Sequence, residues 1–352
     1  MVDSLLAEPH HQSQSHARFL AELQKQFLAD GGHYERCPMY QAKILADLQD
    51  FAAETDSAPG KNPALDRIRN TGRQWLDTLH ITETQWADFN DSWQIPYLRQ
   101  KLYGSQKPVI TEGATSLPDS GFVRLLHTPW TVILDCGGVG PEFNPGHCHS
   151  DITSLVAAAA GHPVILDPGV LHYSPNDERA YLKSAQAHNG PCLADKDHTE
   201  MVGSFRVGRA AAAIPAKIDS HGRVAQTGHH CYPGIEISRT VSIENNRLVI
   251  HDRWRSPARS FRPWLRWLWA VPIQNVLAAP LQNLRLTCHW KDASNNRIHV
   301  EQQVAGDNQP RLYLGENFAS PAFGKTVPAV ETIVTGGPTT LFEATTTVTI
   351  NG

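Results

Sequence analysis

No stretch of the 352 residues approaches the length of apolar sequence needed to cross a bilayer. The opening MVDSLLAEPHHQSQSHARF also lacks the cationic start, apolar stretch and small-residue cleavage site of a secretory signal, so the sequence as written predicts a soluble chain with no export address. Cysteine is scarce and scattered. Cys37, Cys136, Cys148, Cys192, Cys231 and Cys288 form no CxxC pair, which excludes a zinc ribbon and a dense disulfide framework and implies thiols that are mostly reduced. Charge of one sign is also missing: the net charge is −4, so nothing global attracts nucleic acid or an anionic membrane, and a polyanionic ligand needs a local basic patch. No internal repeat of solenoid or propeller length recurs. What the chain does have is apolar material, 41% of its residues, enough for at least one large core within a length that can hold two domains.

That material changes period along the chain. From Ser15 to about Leu79 it recurs at helical spacing, as Phe19-Leu20-Leu23-Phe27, Ile44-Leu45-Leu48-Phe51 and Leu65-Ile68-Trp75-Leu79, which predicts three amphipathic helices with core-facing stripes. Gly31-Gly32 is expected to close the first, and a loop from Ala53 to Pro63 to separate the second from the third. Beyond about Val109 short β-rich runs follow one another between Gly, Pro, Asn and Asp: Phe122–Leu126, Thr131–Leu134, Val164–Leu166, Ile235–Ile243, Leu248–Ile250, Leu284–Trp290, Leu312–Leu314, Thr332–Thr335 and Thr345–Ile350. The expected fold is α+β and mainly β: a helical segment over 1–108, then a large antiparallel β-sandwich over 109–352. Trp254 to Trp269, which mixes Arg with Trp, fits a stacking platform for sugar rings or bases, and fits better a cover over the sheet.

Chemistry concentrates in Pro145-Gly146-His147-Cys148-His149-Ser150-Asp151, followed by Leu166-Asp167-Pro168-Gly169 and Ala187-His188-Asn189. In an extended strand, side chains two apart share a face, so His147, His149 and Asp151 are expected to point the same way, with Asp167 and His188 arriving from later segments. Imidazoles and carboxylates converging from separate segments are a zinc-site composition, with one histidine left for proton transfer. The residues alone leave duller readings open: histidines hydrogen-bonded within a strand pair, Asp167 and His188 as turn residues, and Tyr40 packed at a helix start.

Several ordered segments together resemble the heparinase II/III-like polysaccharide lyases: Asp30-Gly-Gly-His-Tyr-Glu-Arg-Cys-Pro-Met-Tyr40, Phe89-Asn90-Asp91-Ser92, Gly146-His-Cys-His-Ser-Asp151, Asp167-Pro168-Gly169, Ala187-His188-Asn189 and Gly228-His229-His230-Cys231-Tyr232. The resemblance implies an α/α toroid followed by an antiparallel β-sandwich, here with the toroid N-terminally shortened to its last helices, and β-elimination of uronate-containing acidic polysaccharides such as glycosaminoglycan or alginate. It implies Tyr40 and His147 as the proton-transfer residues and a structural zinc ion on His149, Asp167 and His188, with His229 in reserve for the last. It also implies a periplasmic or cell-envelope setting.

The chemistry accounts for those residue types. Elimination removes the proton from carbon 5 of the uronate, which becomes acidic only when charge developing on the neighbouring carboxylate is stabilised. A phenol or imidazole can take that proton and another group can protonate the departing oxygen, each contributing on the order of 10² to 10⁴-fold. Tyrosine ordinarily titrates near pH ~10, so Tyr40 needs positive charge to act as a base, and Arg36, four residues earlier on the expected helix face, could supply it. Arg179 and Lys183 are candidates for binding substrate carboxylates. The metal is expected to hold loops in register. The chain departs from the family pattern at Gln41, where the family has histidine, at Cys37 in place of serine, and in having only 39 residues before Tyr40, too few for the family's carboxylate-neutralising residue. Loss of most of a helical ring predicts exposed apolar helix faces and association with a partner or a second copy. Two other readings follow: a metal-stabilised β module that binds polysaccharide without cleaving it, and a cupin-like metalloenzyme, the latter lacking the glutamate expected after HxH.

Overall fold

A computed structural model describes residues 9–54, 62–271, 275–278, 285–291, 297–306 and 309–351. The chain opens with four helices: α1 (Pro9–Gln26), α2 (Pro38–Glu54), α3 (Pro63–Thr78) and α4 (Pro96–Tyr103). Each of α2, α3 and α4 begins at proline, whose fixed φ and missing N–H suit the first helical position. Asn62 caps α3 by accepting from the Leu65 amide. The second amide of α2, that of Met39, donates instead to the hydroxyl of Ser92, 3.2 Å away, so the start of this helix is tied to a remote loop.

Strands follow: β1 (Gly113–Leu117), β2 (Phe122–His127), β3 (Trp130–Asp135), β4 (Leu155–Ala159) and β5 (His162–Ile165), then helix α5 (Asp177–Lys183), a 3₁₀ turn at Ala185–Ala187, and β6 (Pro191–Leu193). The remainder is β7 (Met201–Val202), β8 (Arg206–Val207), β9 (Ala213–Ile218), β10 (Val224–Tyr232), β11 (Ile235–Glu244), β12 (Arg247–Arg255), β13 (Pro263–Trp269), β14 (Leu277–Ala278), β15 (Arg285–Lys291), β16 (Arg297–Gly306), β17 (Arg311–Ala322), β18 (Lys325–Thr335) and β19 (Leu341–Asn351). Among the described residues these form a nine-stranded sheet, ordered β1-β2-β3-β4-β5-β13-β18-β17 with β6 on β13, and an eight-stranded sheet, ordered β14-β15-β16-β19-β12-β11-β10-β9. The described pairings within both sheets are antiparallel, and β7–β8 is a separate hairpin.

The two sheets close on one core in which Val132, Leu134 and Trp269 meet Ile237, Val241 and Ile250. The nine-stranded sheet is covered on its other face as well, because Ile133, Val156 and Ala158 pack with Leu45, Trp75, Leu76, Leu79 and Phe89 from the helical segment. Leu45 of α2, the C-terminal end of the α3 stripe and Leu79 just after it are thus buried against the sheet, while Leu48 of α2 and Leu65 and Ile68 of α3 pack instead with Leu20 and Leu23 of α1. Burial on both faces also explains texture: β3 and β4 read as continuous apolar runs, whereas β11, β12 and β19 alternate with one face toward solvent.

Several sequence expectations change here. The first helix ends at Gln26, and Gly31 and Gly32 belong to the turn after it. Strands β1, β4, β6 to β10, β13, β14 and β16 and helices α4 and α5 carry weak sequence signals and lie outside the expected elements. Trp254 lies on β12, and Trp267 and Trp269 lie on β13; all three are fully buried, so they are core rather than platform or lid. Leu284 and most of the loop from Ala53 to Pro63 lie outside the described residues. The largest change concerns the HxH segment, which is not a strand. It lies in the irregular connection between β3 and β4, where the His149 amide donates to Asn90 Oδ1 and the Ser150 amide to the Lys183 carbonyl in place of a ladder.

Candidate functional site

The tetrapeptide Phe89-Asn90-Asp91-Ser92, between α3 and α4, clamps the start of α2 to the connection that carries His147. Ser92 Oγ meets both the Met39 amide and Cys37 Sγ, the latter at 3.1 Å, so the cysteine found where the family has serine is a buried partner of this loop. Asn90, at φ +59°, donates to the Arg36 carbonyl and accepts from the His149 amide. Gln41, the other departure, is buried; it accepts from the His33 amide and donates to the carbonyls of Gly31 and Gly72, knitting the DGG turn to α3.

This clamp brings Tyr40 and His147 together, with ring centroids 4.2 Å apart and planes tilted by 37°. Tyr40 OH lies 3.1 Å from the hydroxyl of Tyr173. His147 Nδ1 lies 3.1 Å from Asp91 Oδ2, and since an ionised carboxylate only accepts, Nδ1 is the donor and Nε2 is the ring nitrogen left for other partners. That Nε2 lies 4.0 Å from Glu35 Oε1. Asp91 is the hub: its other oxygen accepts from His149 Nε2 at 2.9 Å, and Arg179 reaches both oxygens, at 2.5 and 2.7 Å. Burial by itself pushes the Asp91 carboxyl up, but hydrogen bonds from His147, His149 and Arg179 outweigh it and hold the group well below the usual carboxylate range. Burial pushes the Tyr40 phenol up, with the bond to Tyr173 opposing, so Tyr40 stays protonated at neutral pH. Burial likewise raises Glu35, with His147 pulling the other way.

The cations take other places than the sequence suggested. Arg36 is not on the helix face with Tyr40: it precedes Pro38, at φ +53°, and its guanidinium donates to the carbonyls of Gly138 and Asp119. Arg179 is fully buried on Asp91, and Lys183 is buried with its ammonium on the carbonyls of Gly146 and Ser204, so each would have to break internal bonds to meet a substrate. Lys43, which the sequence reading passed over, stands one helical turn beyond Tyr40 with its ammonium 5.0 Å from the phenol ring centroid. Its charge also acts on Glu35, drawing that carboxyl down.

Next to this pair lies the donor set expected for a metal. His149 and His188 are buried with ring centroids 5.3 Å apart. Each gives one ring nitrogen to a carboxylate, His149 to Asp91 and His188 to Asp167 at 2.8 Å. The remaining nitrogens, His149 Nδ1 and His188 Nε2, are buried without a partner among the described residues, as is Asp151 Oδ2. A ligand histidine held by a carboxylate on its far nitrogen is the usual support of a zinc ligand, so the residues fit the ion in kind. Among the described residues no three His, Cys, Asp or Glu side chains are drawn together as a ligand cluster. Asp167, expected as a ligand, has its oxygens on the Gly169 amide and His188, whereas Asp151 keeps one bare. Burial pulls His149 down to about 3 despite Asp91. It pushes Asp151 up to about 6 against the pull of His188. Burial also works against charge on His188, but Asp167 outweighs it and leaves that histidine raised. His229, the reserve ligand, is elsewhere, packed between His198 and Tyr232 at 5.3 and 5.6 Å.

The fold is thus a set of helices laid on a two-sheet sandwich, with a phenol from the helices against an imidazole from a sheet connection. The family described as heparinase II/III-like, C-terminal, matches residues 110–349, and the chain belongs to that family. Heparan sulfate lyase HepC from Pedobacter heparinus superposes with a TM-score of 0.73 at 16% identity, over 94% of this chain and 54% of that one. A heparinase III superposes at 0.75 with 15% identity, over 95% and 56%, and a xanthan lyase from Paenibacillus at 0.53 with 8% identity, over 93% and 40%. This chain thus spans about half the length of the two heparinase structures, and at such identities the likeness establishes the fold. No curated protein matches the chain.

Proposed function

We propose that the chain is a polysaccharide lyase acting on uronate-containing polymers by β-elimination. The observation that carries this reading is the contact of Tyr40 with His147 at 4.2 Å, with the imidazole oriented by Asp91. His147 Nε2 takes the proton from carbon 5, the bond between carbon 4 and the glycosidic oxygen breaks as the carbon 4–carbon 5 double bond forms, and Tyr40, kept protonated by burial, protonates the departing oxygen. Proton return from imidazolium to phenolate across the ring contact resets the pair. Lys43 supplies positive charge beside the pair for the substrate carboxylate, in the role the sequence reading found vacant.

A zinc ion would be held by His149 and His188 with an aspartate, Asp151 or Asp167, and would fix the connection carrying His147 relative to β5 and the 3₁₀ turn. A polymer too large to cross a membrane is met in the periplasm or cell envelope, where we place the activity.

Incubation of the purified chain with alginate, heparosan and heparan sulfate tests the reading, because elimination creates an unsaturated uronate that absorbs in the near ultraviolet. We expect absorbance to rise on at least one polymer. A chain that binds a polymer yet releases no absorbing product is the non-catalytic module instead. Metal content tests the zinc site: the parent is expected to retain about one ion and His149→Ala none, and equal content in the two removes the site.

A further inference from the structure

Four aromatic side chains from four separate loops meet beside the Tyr40–His147 pair. Tyr173, in the connection between β5 and α5, lies at the centre, with Trp93 at 6.1 Å, Phe323 at 5.5 Å, Phe205 at 6.1 Å and His147 at 6.3 Å between ring centroids. Trp93 and Phe323 also touch each other, at 5.2 Å. Trp93 comes from the loop before α4, Phe205 from the β7–β8 turn and Phe323 from the β17–β18 turn. These rings do not form a core: Phe205 is 47% and Phe323 46% exposed, and Tyr173 and Trp93 are only partly buried. A cluster of half-exposed large aromatics assembled from four loops forgoes the burial that ordinarily stabilises such residues, and patches of this kind mark ligand surfaces.

The occupant follows from continuity and chemistry. Tyr173 OH is hydrogen-bonded to Tyr40 OH, so the aromatic surface runs into the reacting pair without a break, and a chain seated on the pair must pass over these rings. The axial C–H bonds of a pyranose carry partial positive charge and lie on one apolar face, which matches the negative face of an aromatic ring. The cations expected to grip substrate are engaged internally, Arg36 on carbonyls, Arg179 on Asp91 and Lys183 on carbonyls. Charge is therefore a lesser means of holding the polymer here than stacking.

We infer that Trp93, Tyr173, Phe205 and Phe323 form a stacking subsite for pyranose rings of the polymer flanking the bond held at Tyr40 and His147. The inference rests on the lyase reading for the position of the chain, but its test separates the two. Binding of alginate, heparosan and heparan sulfate is measured by titration calorimetry in the Tyr40→Phe background, where no cleavage intervenes. Phe205→Ala and Phe323→Ala are compared there with Tyr313→Ala, another half-exposed aromatic, on β17 outside the cluster. Each cluster substitution is expected to weaken binding about three- to tenfold, from the stacking of one ring, and Tyr313→Ala not at all. Circular dichroism confirms that each variant is folded.

In the otherwise unaltered chain the cluster substitutions are expected to raise KM with little change in kcat. Unchanged binding in both cluster variants, or equal loss in Tyr313→Ala, overturns the subsite even if the parent cleaves polymer. Weakened binding in a chain that never cleaves supports the subsite and overturns the lyase reading. No binding to any of the three polymers overturns the subsite.

Discussion

Asp91 is a single carboxylate with four donors on it: His147, His149 and two nitrogens of Arg179. A buried charge pair contributes little net stability as a whole, but removing one partner leaves the other uncompensated, at a cost of ~3–5 kcal/mol. Asp91→Ala is therefore expected to lower stability by about that amount in urea unfolding, and Asp91→Asn by less, with both losing activity because His147 is no longer oriented. The pH dependence has a definite sign. The folded Asp91 carboxyl sits below its unfolded value, so its contribution is complete above pH ~4 and is lost as pH falls toward the folded value. The stability gap between parent and Asp91→Asn should narrow below pH ~4; a gap independent of pH would show that Asp91 is not the anchor described here. Tyr40 and His147 were legible in the sequence because each sits in a contiguous motif. Asp91 lies within a matching segment, but nothing local in the sequence marks its role, which arises only when residues 56, 58 and 88 positions away converge on it.

At the scale of elements, the turn before α2 sets where Tyr40 points. Gly31 has φ +90°, and a Cβ there would lie 2.4 Å from the Thr71 carbonyl oxygen on α3, so neither conformation nor space admits a side chain. Gly31→Ala is expected to destabilise the fold by ~2 kcal/mol or more and to lower activity in the fraction that folds, read from the urea midpoint and rate per folded molecule. A variant as stable and active as the parent would mean the turn can shift without moving Tyr40. The first three helices and most long strands were readable from period. The strand β4 was not, because its sequence, Leu155-Val-Ala-Ala-Ala159, is rich in a residue with little preference for strands and stands on a sheet buried on both faces. The HxH segment failed in the opposite direction: alternate polar residues resembled a strand face, but its backbone donors are satisfied by Asn90 and Lys183.

In the whole molecule the helical segment and the sandwich share the nine-stranded sheet. Tyr40 and His147, from opposite sides of that division, are held by a continuous core rather than by a flexible linker. The sequence made the two parts visible but not their contact, because nothing local records that Ile133 and Val156 turn their side chains toward Trp75 and Leu76. The central claim is that a phenol and an imidazole meeting across this junction carry a β-elimination. The most direct test is the initial rate of unsaturated-uronate formation by the parent, Tyr40→Phe and His147→Gln on one polymer, with folding of each confirmed. The account predicts product from the parent and a loss on the order of 10² to 10⁴-fold in each variant. A variant that keeps the parental rate would contradict it.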